Sequence, residues 1–195
     1  MFKIVAHYYE DIVAIQDISK RSVYFWSNQI IYTKNYMISL MNNLPDQDLV
    51  YDRLITNQDN IGNILSPYYT QDVIDRLVGL LKEYVAIVKE LIQAAMSGSD
   101  MTIVQAKLVV NGSAILDLLD EINPMYWNKS GIMSELWTKH LGYLTDQVTA
   151  RVASDWSKDL DALDSDHDIL CGIDNFADRF AMGIVYHQLE FFSKK

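Results

Sequence analysis

TQDVIDRLVGLLKEYVAIVKELIQAAMS, residues 70–97, carries a single helical stripe from end to end. Ile74, Leu77, Leu81, Tyr84, Val88 and Leu91 recur at steps of three and four, which places all six side chains on one face of an α-helix. Thr70 is a good N-cap. Asp72 and Asp75 stand where the positive end of the helix favours acid. Ser97-Gly98-Ser99 is the turn that follows.

Working outward, the same period recurs on both sides. Residues 100–122 place Val104, Leu108, Asn111, Ile115, Leu118 and Ile122 on one face, closed by Asn123-Pro124. Residues 131–153 align Met133, Trp137, His140, Leu144 and Val148, and residues 154–192 read as helix with a break near Asp164-Ser165. Upstream, Asp48 to Leu65 reads as one broken helix or two short ones, with Leu49, Leu54, Ile61, Ile64 and Leu65 inward and Pro67 after it. Ser22 to Asn43 repeats Ile30, Ile31, Met37, Ile38 and Met41 at helical spacing, and Pro45 stops it. Residues 1–21 mix both periods and read as an N-terminal extension or a short helix from about Glu10 to Lys20; residues 22–195 read as a single domain. No segment alternates at period two for long enough to make a sheet. Short connections between helices favour antiparallel neighbours. The fold class expected is all-α, an antiparallel bundle of six to seven helices.

Composition agrees. Three prolines and eight glycines in 195 residues are few, which favours long helices. Half of the residues are apolar, and a domain of this length buries roughly 70% of its unfolded surface, so it needs neither disulfide nor metal to fold. The formal charge of −10 repels phosphate backbones, making nucleic acid and anionic membrane poor partners. Cys171 is the one cysteine, so no internal disulfide forms and a reducing, cytoplasmic compartment is expected. The opening MFKIVAHYYEDIVAIQ is cut by His7, Glu10 and Asp11 and does not read as a signal peptide. No run of about 18 consecutive apolar residues is present to span a bilayer.

The densest concentration of chemistry is DLDALDSDHD, residues 159–168, with five aspartates and a histidine. Asp164, Asp166 and Asp168 match the first half of a calcium loop. The second half fails, because Ile169 stands where the sharp turn needs glycine and Asn175 where a bidentate glutamate is required. Read as helix, Asp159, Asp161, Asp166 and Asp168 form a solvated face, with the early acids offsetting the macrodipole. Asp164, His167, Cys171, Asp174 and Asp178 step by three and four along a second stripe bordering Leu163, Leu170 and Ala177. Inward carboxylates and imidazoles on facing helices are how bundle metal sites are made. His140, Asp164, His167, Asp174 and Asp178 are therefore the candidate ligands for a divalent metal, with Asp174 as the expected partner of His140. The bland reading is a hydrogen-bonded core histidine and a wet seam. Cys171, with no adjacent cation, reads as a small buried hydrophobe. Phosphate-loop, dinucleotide, nucleophile-elbow and zincin motifs are all missing from the sequence.

YTKNYMIS from Tyr32, LPD at Leu44–Asp46, RLITNQDNIGN from Arg53, PYY at Pro67, LLKEYVAIVKELI from Leu80, Asn111, INP at Ile122–Pro124, His140-Leu141, Lys158-Asp159 and Asp174 form a recognisable series. In these the chain resembles a family of small helical bacterial proteins of unknown role, several of which carry the label "acetylglutamate kinase". The label conflicts with physical chemistry, since such a kinase is an α/β protein with glycine-rich phosphate loops. The family often has histidines at the places of Gln29 and Tyr84 and a glutamate at that of Gln147. The resemblance implies that these, with His140, make a metal or acid–base cluster, of which this chain keeps only His140. It thus supports the all-α fold and weakens an enzymatic reading. The function expected is a non-catalytic bundle acting through a protein partner or self-association, or as a structural component. The alternative is a metal- or small-molecule-binding bundle centred on the carboxylate and histidine stripe.

Overall fold

The computed structural model describes residues 2–128 and 131–187, and of residues 2–11 the backbone alone. Among the described residues there are seven α-helices and no strand: α1 (Phe2–Met41), α2 (Gln47–Gly62), α3 (Gln71–Met96), α4 (Thr102–Ile122), α5 (Ile132–Val152), α6 (Trp156–Cys171) and α7 (Phe176–His187). The chain is an all-α bundle.

Side-chain links fix the directions of the helices. Tyr36 packs on Tyr51 while Arg21 donates to the carbonyl of Asn63, so α1 and α2 are antiparallel. Lys89 lies over the Tyr51 ring and Lys82 pairs with Asp59, turning α3 back on α2. Arg76 with Glu121, and Lys107 with Glu90, make α3 and α4 an antiparallel pair. α1, 40 residues and about 60 Å long, is the spine, touching α2, α3, α6 and α7.

The α3 stripe behaves as its spacing predicts, with Ile74, Leu77, Leu81, Tyr84, Val88 and Leu91 all buried. So does the α5 stripe: Met133, Trp137, His140, Leu144 and Val148 are inside. Trp26 joins the two ends of the chain, meeting Phe176 edge-on at 4.9 Å, Phe180 at 5.8 Å and Trp137 at 6.1 Å between ring centroids. Close approach between helices is clearest at one glycine of α4. A Cβ on Gly112 of α4 would lie 2.3 Å from Trp137 Nε1, so only glycine admits the indole there.

Three helices end alike. After α1, α3 and α5 the chain turns through Asn43, Gly98 and Ser154 with φ of 50°, 67° and 58°. The amides of Leu44, Ser99 and Asp155 reach back five residues to Ser39, Ala94 and Ala150. This is the Schellman closure, which satisfies carbonyls left over at a helix end.

The structure departs from the sequence reading in several places. α1 is unbroken from Phe2 to Met41, so residues 1–21 and 22–43 hold no helix break between them among the described residues. The last segment breaks at residues 172–175 and not at Asp164-Ser165; its residues 188–192 lie outside the described residues. Ile31 and Leu49, placed inward by spacing, are 49% and 70% exposed. α4 meets the length and composition of a membrane span at a mean hydropathy of 1.3, although no run of consecutive apolar residues announces it; 39% of that window is buried in the bundle.

Candidate functional site

Polar side chains enter the core at several places, three of which join side chains of different helices, and the richest is centred on His140. α5 carries His140 inward between Trp137 and Leu144, leaving it 3% exposed. Its partner comes from α6, where Asp159, Ala162, Asp166 and Leu170 face inward at steps of three, four and four. Asp166, 2% exposed, accepts from His140 Nδ1 at 2.6 Å through Oδ1 and from Gln147 Nε2 at 3.1 Å through Oδ2. On the other side of the ring, Tyr84 Oη lies 2.7 Å from His140 Nε2.

A carboxylate can only accept, so Nδ1 carries a proton, and a neutral imidazole then accepts the Tyr84 hydroxyl at Nε2. Burial, and next the charge of Asp166, push the Tyr84 phenol well above its ordinary range, so it stays a protonated donor. In this tautomer both imidazole nitrogens, the phenol and both carboxylate oxygens have partners. Tyr84, Trp137 and His140 are packed ring against ring, with centroids 5.2 to 5.8 Å apart.

The second place ties three helices at one carboxylate. Asp159 of α6, 1% exposed, accepts from Lys34 of α1 and from Arg151 Nη1 of α5 at 2.6 Å. Burial lowers the Lys34 pKa, opposed by the hydrogen bond and charge of Asp159. The third joins α1 to α2: Gln58 Nε2 donates to Gln29 Oε1 at 2.6 Å, and Asn57 Nδ2 donates to the Phe25 carbonyl at 3.0 Å.

Of the candidate ligands read from sequence, His140 points inward and the others do not join it. Asp164, His167 and Asp174 are exposed, and Asp178 is half-buried. Asp174 sits beyond the end of α6 at φ 55° and holds Arg179 at 2.9 Å; its own amide donates to Asp178. The expected His140–Asp174 pairing is therefore corrected: the partner is Asp166, which the sequence reading had assigned with Asp159 to a solvated face. The stripe fails physically because residues 172–175 interrupt the helix, so the phase does not carry from Asp164 to Asp178. Among the described residues no group of three or more His, Cys, Asp or Glu side chains converges as a metal site. With both His140 nitrogens committed, the proposed ligand set does not fit a divalent ion.

The missed residues were Asp159 and Asp166. Their signal was the shared phase with Ala162 and Leu170, which outranks the polarity of an isolated aspartate. The positions that the resemblance singled out divide, with Tyr84, His140 and Gln147 meeting around Asp166 and Gln29 lying in the separate amide network. Cys171 is half-buried, and burial raises its thiol to about 11 against the hydrogen bond from Ser27.

No protein-family profile, curated protein or solved structure matches the chain.

Proposed function

We propose that this chain is a non-catalytic helical-bundle protein that works through contacts with other proteins, in a reducing compartment such as the cytoplasm. One observation carries the reading: among the described residues the constellation best suited to acid–base or metal work, Tyr84–His140–Asp166–Gln147, is buried with its hydrogen bonds closed on one another. A histidine held by a carboxylate is the orienting half of many general bases. Here its second nitrogen is taken by a phenol, and none of the four residues lines the principal surface grooves. A general base must reach a substrate proton within hydrogen-bond distance, and this one faces only protein. A network of this kind fixes the register of α3, α5 and α6.

Elemental analysis combined with thermal melting tests the reading. Protein purified without added metal is expected to hold far less than one ion per chain and to melt at the same temperature with and without chelator. Stoichiometric zinc, iron or manganese, with a melting point that falls on chelation, would sink it.

A further inference from the structure

α4 is the most apolar long helix of the bundle, yet most of its apolar window lies outside the core. Its inner face, with Leu108, Ile115, Leu118 and Leu119, packs on α3 and α5. Its outer face carries Ile103 and Val110, 72% and 70% exposed. Together with α3 these line a groove of about 610 Å³ with buried Ile87 at its base, Lys107 on the α4 side and Glu83 and Glu90 on the α3 wall.

The residues in this groove differ from scattered surface apolar side chains in two respects. Ile103, Ala106, Val110 and Ala114 step by three, four and four, forming the ridge into which a further helix packs. In addition, the wall holds a carboxylate with no cation on it. Glu90 is paired with Lys107 at 2.6 Å, but Glu83 faces no cation among the described residues. Asn111, 4% exposed, donates to Glu83 Oε2 and to the Leu80 carbonyl, each at 3.1 Å; its own Oδ1 is buried without a partner.

We infer that the α3–α4 groove is a docking site for an amphipathic helix of another protein, with a small apolar face and an arginine on one flank. The apolar face covers Ile103, Ala106 and Val110; the guanidinium pairs with the exposed carboxylate of Glu83. Arginine suits a carboxylate because its donors form a fixed fork that meets both oxygens. About three turns of partner helix span Ile103 to Ala114. Charge favours a basic occupant: Lys107 of the same groove is already held by Glu90, so Glu83 is its unpaired charge, and a second copy, with a further −10, or anionic lipid meets it unfavourably. This inference rests on the reading that the protein acts through contacts.

The test uses the whole protein and two labelled synthetic helices of about four turns. Both have the same leucine and alanine face; one carries arginine on its flanks and the other glutamate. Fluorescence anisotropy is expected to show saturable one-to-one binding of the arginine helix, weakening as salt rises. Val110→Asp is expected to weaken it about tenfold or more, Glu83→Gln about threefold, and the distant exposed control Asp164→Asn less than about twofold. Val110 is exposed, so unchanged melting of its variant separates lost binding from lost folding. Equal binding of the glutamate helix, or indifference to Val110→Asp, overturns the inference. It is equally overturned if light scattering finds a dimer that Val110→Asp dissociates, or if anionic vesicles bind and compete for the groove. Failure here with metal-free protein leaves the general reading standing; stoichiometric metal sinks that reading whatever the peptides do.

Discussion

His140 shows what a single side chain can fix in this fold. Removing it leaves Asp166 buried and without its strongest donor, and an unpaired buried charge costs far more than one lost hydrogen bond. His140→Ala is expected to lose about 3 kcal/mol, with a melting point lower by about 6–12 °C in a chain of this length. The double variant His140→Leu with Asp166→Leu is expected to recover part of that, because it removes the buried charge while leaving the Tyr84 hydroxyl and Gln147 Nε2 without their partners; calorimetry of the two proteins checks this, and no recovery would mean that the unpaired carboxylate is not the source of the loss. A second residue-scale expectation concerns Cys171. With its thiol raised to about 11, almost none is thiolate at pH 8. Labelling by a disulfide reagent at pH 8 is expected to be much slower than for a free thiol and to speed up sharply in denaturant. Fast labelling of the native protein would refute the buried placement. His140 also marks how far a sequence goes at this scale. Its inward phase is visible among Met133, Trp137, Leu144 and Val148, but its partner is not, because Asp166 lies on another helix and looks like any other acid in DLDALDSDHD.

At the scale of elements, glycines on neighbouring faces have opposite roles. Gly112 of α4 touches the Trp137 indole, so Gly112→Ala forces a Cβ into a rigid ring and is expected to cost about 1–3 kcal/mol. Gly142 of α5 has nothing within 4 Å of its missing Cβ, and Gly142→Ala is expected to gain about 0.5–1 kcal/mol from helix propensity. Thermal melts of the two single variants should move in opposite directions; movement in the same direction would contradict the placement of α4 against α5. Periodicity alone located the elements well where one face is apolar throughout, as in α3 and α5. It failed for α6 and α7, where the end of α6 is set by the backbone turn at Asp174 and by Asn175 Oδ1 accepting from the Asp178 amide. An aspartate-rich run has no apolar signal to mark such a stop. Leu49 misled for the opposite reason, since an apolar residue near a helix start need not be covered.

For the molecule as a whole, buried phenols set a limit in alkali. Burial pushes Tyr36 up to about 12 and raises Tyr69 and Tyr84 further. In the unfolded chain each ionises near 10, whereas the folded protein keeps them protonated, so the stability they contribute is complete below pH 10 and is lost as pH rises toward 12. Each such group removes about 1.4 kcal/mol per pH unit in that window. Followed together from pH 9 to 12.5, circular dichroism and tyrosinate absorbance should show the last part of the absorbance rise coinciding with the loss of helix. Full ionisation of all tyrosines before any helix is lost would contradict this.

The meeting of Trp26 with Phe176 and Phe180 has a consequence in time. A ribosome adding 5–20 residues per second needs about 8–30 s to pass from Trp26 to Phe176. Throughout that interval α1 lacks the aromatic side chains that enclose Trp26, and Ser22 lacks the Ala177 carbonyl to which its hydroxyl donates. The first helix to emerge is therefore finished by the seventh. A chain released before residue 176 would leave Trp26 open to whichever chaperone or protease reached it first.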